Sequence, residues 1–310
     1  MIIDYLIIAV LFLLGIALSR FAKRNLMSVF LAVIVILIIP AFGYNQVHIT
    51  MFLISVLAAY GLAFFYTKIS MLSYIFLAVL AAEYVATAFL GLYAYPIMLG
   101  FGLGAAAVLL DYSDERKSVK SAYANRKKVI EINRDVFQLA LAAIILVVLG
   151  VFGRLYGLYI LFGLELLGVF GLLTAWNSKY HLGFFRSLKK EEQVYEHGAL
   201  FLAAGLSILL GLLHQFNFEV FGAILLLVCD PLATIFGLKL GKIKLAYNKE
   251  KSLFGSLAFF VAGAIAGFLL VGYIGIAIAA IIAVVEGLRS GIDDNILIAV
   301  SYGILALLVV

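Results

Sequence analysis

About a dozen apolar runs follow one another along this chain, each close to the length at which a helix crosses a lipid bilayer. They fall at approximately 2–19, 26–43, 48–66, 70–90, 93–110, 135–152, 155–176, 198–214, 217–236, 254–271, 273–289 and 295–310. A helix needs about 20 apolar residues to cross roughly 30 Å of hydrocarbon. The runs do not alternate apolar and polar residues, as the strands of a transmembrane barrel do. Lipid offers no partner to a free N–H or C=O, so continuous helix is the expected backbone. Composition agrees: 66% of residues are hydrophobic, 13% are charged, and mean hydropathy is +1.18. A soluble domain is nearer half apolar and about a quarter charged, and a globule of 310 residues could not hide this much apolar surface from water. Disordered and collagen-like chains are excluded by the same excess. The expected fold is all-α: a polytopic integral membrane protein of about 12 transmembrane helices.

Charge sets the orientation. With loops placed alternately on two sides, one side receives 19–25, 67–69, 111–134, 177–197, 237–253 and 289–294. Those loops hold 21 of the 22 Lys and Arg residues, and the other side holds Arg154 alone. Loops rich in Lys and Arg stay in the cytoplasm, so both termini are expected outside. The first apolar run lacks a basic stretch before it, unlike a cleavable signal. The single cysteine, Cys229, cannot form an internal disulfide.

The chain divides on this reading into a five-helix membrane region (1–110), a charged cytoplasmic linker (111–134) and a seven-helix core (135–310). The linker carries Arg116, Lys117, Lys120, Arg126, Lys127 and Lys128, and a solvated segment lying at an anionic leaflet accounts for it.

The core holds most of the chemistry-bearing residues. Asp230 lies inside the apolar end of a run, where a carboxylate is costly and is usually functional or paired. Pro231 follows it and favours a local break in the helix. Helical spacing puts Asp230, Thr234 and Gly237 on one face. Gly237, Lys239, Gly241, Lys242, Lys244, Lys249, Lys251 and Ser252 come next. Glycine lets backbone approach a ligand, neighbouring lysines suit a polyphosphate, and Ser252 is placed to cap a helix starting near 254. The spacing is not that of a Walker A loop, since three residues separate Gly237 from Gly241 where that loop needs four. A cytoplasmic loop with a helix cap explains the same residues.

A second acidic group runs from Glu286 to Asp293, Asp294 and Asn295. A Glu286–Arg289 pair at i,i+3 and capping of the last helix by Asp293 or Asp294 account for it structurally. Glu286, Asp293 and Asp294 also suit Mg²⁺, which takes hard oxygen ligands and shares them with substrate phosphates, and Asp230 is a further candidate ligand. Both groups fall on the same side of the predicted topology. Elsewhere, Arg134 with Glu131 and Asp135 reads as a salt-bridged helix start, and Glu191, Glu192 and His197 as a solvated loop. Glu83 and Glu165 lie deep within runs, where each is expected protonated or paired with a Tyr or Asn. His48, His181 and His214 lack metal-ligand spacing. Gly263 and Gly267 read as helix packing.

The stretch Asp230-Pro231-Leu-Ala233, Gly237, Gly241-Lys242 and Lys251-Ser252-Leu-Phe-Gly255-Ser256 resembles the polyprenol kinase family. That family comprises dolichol kinases, phytol kinases and CTP-dependent diacylglycerol kinases. Glu286 with Asp294-Asn295 resembles the family's late Glu and Asp-Asn, and Glu192 its acidic loop residue. Glu131 and Arg134 resemble the start of its first core helix. The likeness covers about 130–310. Cys229 stands where the family has Gly, and Arg134-Asp135 with Gln138 stands where it tends to have Arg-Lys and then His.

The resemblance implies a CTP-dependent kinase acting on a membrane lipid alcohol: a polyprenol or dolichol, a phytol-like alcohol, or diacylglycerol. CTP would be the phosphoryl donor and Mg²⁺ the metal. Phosphoryl transfer needs phosphate charge neutralised and two oxygens held in line. Lys251, with Lys239, Lys242 and Lys249, would hold the triphosphate, and Gly237, Gly241, Ser252 and Gly255 would admit it. Asp230, Glu286 and Asp294 would share the roles of metal ligand and base. Lipid bilayer and CTP are the implied partners, with no nucleic acid, and the active face is cytoplasmic. A cytidylyltransferase making a CDP-lipid and a secondary transporter are the competing readings. The first usually carries a Lys-Asp, His-Gly-Gly and two-Asp signature that is absent here, and the second concentrates polar groups at the midplane.

Overall fold

The computed structural model describes residues 46–66, 71–89, 95–112, 124–177, 197–288 and 293–309. The apolar runs 2–19 and 26–43 lie outside these residues, as do Glu192 and Arg289. The described residues are all-α. Their helices are α1 (Gln46–Tyr66), α2 (Met71–Phe89), α3 (Tyr95–Tyr112), α4 (Ala124–Asn177), α5 (His197–Leu212), α6 (Phe216–Ile224), α7 (Asp230–Leu240), α8 (Leu253–Val271), α9 (Tyr273–Glu286) and α10 (Asp294–Val309). A π-helical turn, Leu225–Cys229, joins α6 to α7 without a break.

Two helical hairpins are built on glycine. α4 is interrupted at Gly153, with φ 69° and ψ −177°, a conformation essentially reserved for glycine. A Cβ placed on Gly157 would sit 3.3 Å from the Leu149 Cα. Eight residues of continuous helix span about 12 Å, so the two arms of α4 fold back on each other. The hairpin of α8 and α9 repeats the device at Gly272, φ 76°. A Cβ on Gly275 would lie 2.3 Å from the Gly267 carbonyl carbon, so the two backbones touch. Gly263 meets Leu225 and Ala279, giving the Gly263–Gly267 pair a packing role on two neighbours.

α1 packs on α3, α3 on α5 and α5 on α10, while α8 packs on α6, α7 and α9. Phe101 of α3 stacks edge-on with Phe162 of α4 at 5.8 Å, so the described helices before residue 112 share one core with those of 135–310. α4 begins at Ala124, ten residues before the expected linker ends. Arg, Lys and Glu are good helix formers, and 124–134 contains no Gly or Pro to stop the helix.

Among the described residues, two helical segments, Phe216–Leu240 and Leu253–Val271, are long and apolar enough to cross a membrane; other apolar stretches, such as Thr50–Leu62 and Tyr273–Glu286, are shorter. Large apolar side chains also cover outward faces. Leu257, Val261, Ile265 and Leu269 form an exposed stripe on α8, and Ile144, Val147 and Val151 another on α4. Contiguous exposed apolar surface of this kind marks a partner, and a membrane is one.

Candidate functional site

Asp230 is placed by an irregular helix. Its backbone N–H bonds the Leu225 carbonyl, five residues back, and Pro231 follows in the first turn of α7. π turns of this kind occur often at functional positions. The chain leaving α7 forms a compact loop. Lys244 and Ser252 make an isolated antiparallel bridge, with Leu245 N to Lys251 O at 3.2 Å and Leu253 N to Ile243 O at 3.0 Å. Asn248 is buried; its amide donates to the Gly287 carbonyl at 3.1 Å and its Oδ1 accepts from Glu250 N at 3.1 Å. The loop is thereby docked on the end of α9, which sets Lys251 beside Glu286. Ser252 then caps α8, accepting from Gly255 N at 3.1 Å.

Four charged groups from separate segments meet there. Lys251 Nζ donates to Glu286 Oε1 and to Asp294 Oδ2, the latter at 2.7 Å. Asp230, Glu286 and Asp294 each offer an oxygen, and the three lie within 4.8 Å of one another. The site is graded from inside to out: Glu286 is 2% exposed, Lys251 24% and Asp294 38%. Burial by itself lowers the pKa of Lys251, but Asp294, Glu286 and Asp230 outweigh it and raise the group above the usual lysine range. It is therefore an ammonium, and it faces three carboxyl groups. Glu286 Oε2 is buried with no hydrogen-bond partner, an acceptor left over in a place where such atoms are costly. Three carboxyl groups around one ammonium, with a spare buried oxygen, fit a hard divalent cation.

The other predicted residues are distributed as follows. Lys239, in the last turn of α7, and Lys242 and Lys249, in the loop that follows it, are exposed. Gly237, Gly241 and Gly255 surround Ser252: a Cβ on each would approach its Oγ to 3.1, 2.4 and 3.2 Å. The Gly241 N–H bonds Gly237 O at 3.1 Å, and the Gly255 N–H is used by Ser252. These glycines let α7 and α8 cross closely, and the N–H groups of Gly241 and Gly255 are engaged within the protein, in place of the open approach to phosphate expected of them. Asp293 is separate from the three grouped carboxylates. Its Oδ1 accepts from Asn295 N at 3.1 Å and from Asn295 Nδ2 at 2.9 Å, so it caps α10 while its neighbour Asp294 turns inward.

Glu165 bonds Ser207, whose Oγ donates to it at 2.5 Å, and Glu83 bonds Ser55 at 2.6 Å. Each was expected protonated or paired with a Tyr or Asn; serines are the partners found, and neither glutamate belongs to the grouped carboxylates. Arg134 falls on α4 at a position whose side chain is outside the described residues. Asn248 was not anticipated. Its signal was available, because an Asn within a polar loop commonly bonds local backbone.

The chain is similar to the uncharacterized protein MJ1137 of Methanocaldococcus jannaschii, 36% identical over 112 residues. The match takes in 36% of this chain and 58% of that protein, so this chain spans less than two thirds of the relative's length. No protein-family model matches the chain, and no solved structure matches it significantly.

Proposed function

We propose that the chain is a multi-pass membrane enzyme that transfers the γ-phosphoryl group of CTP to the hydroxyl of a membrane lipid alcohol at the cytoplasmic face. The observation that carries this reading is the meeting of Asp230, Glu286 and Asp294 around Lys251, from segments up to 64 residues apart in sequence. A membrane setting is supported by the succession of apolar runs, by the exposed apolar stripes and by the segregation of Lys and Arg. On that topology the four groups lie at the inner border of the bilayer, where a lipid hydroxyl and a dissolved nucleotide can meet.

Asp230, Glu286 and Asp294 are the residues that would hold Mg²⁺. Such a cation, when bound, neutralises charge on the phosphates. Lys239, Lys242, Lys244 and Lys249 are exposed and supply a positive surface for the triphosphate. Lys251, bonded to Glu286 and Asp294 and partly exposed, can accompany charge moving between donor and acceptor. One of the carboxylates takes the alcohol proton as the new P–O bond forms and the bond to CDP breaks. Asp294, the most exposed of the charged groups whose exposure is compared above, is the best placed to meet a substrate hydroxyl.

Turnover of purified protein with CTP and lipid alcohols tests this. Asp230→Asn and Lys251→Ala should each abolish CTP-dependent lipid phosphorylation in a protein that still folds. Full activity in both would reject the site. Release of pyrophosphate in place of CDP would favour a cytidylyltransferase, and solute flux without CTP turnover a transporter.

A further inference from the structure

We propose that Gln138 is a positioning residue: its side-chain amide replaces a backbone donor that the helix lacks next to Asp230, and so holds the register in which Asp230 faces Glu286 and Asp294. The proposal rests on the preceding assignment of Asp230 to the site. Its origin is a defect that the sequence itself creates. In an α-helix the Leu226 carbonyl would accept from the N–H of residue 230. Here the Asp230 N–H bonds Leu225 O instead, because the helix has slipped into π register. In that register the next donor along, for Leu226 O, belongs to residue 231. Residue 231 is proline, which has no N–H.

Leu226 O is therefore left without either regular helical donor in a fully buried stretch, where an unpaired backbone carbonyl is costly. Gln138 supplies the missing bond from another helix. It is buried on α4, and its Nε2 donates to Leu226 O at 3.0 Å across 88 residues of sequence. A π turn shifts every following side chain by about 100° relative to the α alternative. Loss of the Gln138 bond favours relaxation of the turn, and Asp230 is the first side chain after it.

A double-mutant cycle with Pro231 isolates this role from simple space filling. Gln138→Met keeps the volume and removes the donor. Pro231→Ala restores a backbone N–H at residue 231, which makes the Gln138 donor dispensable. Two quantities are read on the purified full chain: Mn²⁺ affinity, and amide hydrogen exchange over 224–236. With Pro231 in place, Gln138→Met should weaken Mn²⁺ binding at least about tenfold and speed exchange by a similar factor, on the order expected for one unsatisfied buried carbonyl. In the Pro231→Ala background both effects should shrink to within about twofold. If Gln138→Met alone fails to fold, recovery of folding in the double variant supports the proposal equally. Equal losses in both backgrounds, no loss in either, or a double variant no better than the single would overturn it. The exchange readout needs neither metal nor nucleotide. A wild-type chain that binds no Mn²⁺ and consumes no CTP would therefore defeat the proposed function, while the exchange cycle still decides the role of Gln138.

Discussion

Replacing Lys251 by Met should act in opposite directions on two measurable properties. The ammonium is bonded to Glu286 and to Asp294, the latter at 2.7 Å, so a divalent cation held by the same carboxylates would sit roughly 4 Å from it. Charges of one and two at that distance repel by about 2 kcal/mol even at the dielectric of bulk water, and by more in a partly buried site. Removing the ammonium should therefore tighten Mg²⁺ or Mn²⁺ binding by at least about 30-fold. Catalysis should be lost at the same time, because nothing then bridges carboxylates and phosphates. Without cation the variant should also be less stable. Breaking a fully buried pair costs about 3–5 kcal/mol, but Lys251 is 24% exposed and Asp294 38%, so about 1–3 kcal/mol is the fitting range. Thermal unfolding in detergent, titrated with Mg²⁺, reads both effects. The variant should start at a lower midpoint and climb further, beginning at lower Mg²⁺, than the wild type. A folded variant whose cation affinity equals or falls below that of the wild type would mean that the ammonium and the cation do not share these carboxylates.

Further outcomes follow from the same geometry. Glu286→Gln, which keeps shape and removes the most buried carboxylate, should weaken cation binding at least about 30-fold by the same Coulomb estimate, measured by calorimetry. Gly272→Ala should lower stability by about 1–3 kcal/mol despite open space around the added methyl, because φ is 76° there; a denaturation midpoint shows it. Asn248→Ala should release the loop from Gly287 and raise the KM for CTP more than it lowers kcat, checked by steady-state kinetics. Cys229 is fully buried and should stay unlabelled, while Lys249→Cys should react with an impermeant thiol reagent only from the cytoplasmic side of oriented vesicles.

Where apolar composition alone decides a boundary, sequence and structure agree closely: the runs at 48–66 and 254–271 correspond to Gln46–Tyr66 and Leu253–Val271. Ser252 was readable as a cap because capping is local. Boundaries marked only by charge cut the helices short. The run at 217–236 continues as helix to Leu240, since a lysine such as Lys239 can lay its stem along the helix and keep its head in water. The basic residues before 135 proved helical for a related reason. The segregation of Lys and Arg put Asp230, Lys251, Glu286 and Asp294 on one side, but no spacing could bring them into one cluster. Which of Asp293 and Asp294 caps α10 was left open by two adjacent acids. The bonds of Asn248 to Gly287 O and of Gln138 to Leu226 O were beyond reach in another way, because each carbonyl lies 39 or 88 residues distant. Such a need arises only once helices are packed. The glycines near Ser252 looked like a phosphate cradle for want of knowing that two helices cross there.

The central claim is tested most directly by following the terminal phosphate of CTP. Purified protein is incubated with γ-labelled CTP, Mg²⁺ and vesicles carrying a polyprenol, dolichol, a phytol-like alcohol or diacylglycerol. Label should move onto one of these lipids while CDP accumulates in equal amount. Label recovered in pyrophosphate, or CTP left intact with every alcohol, would contradict it.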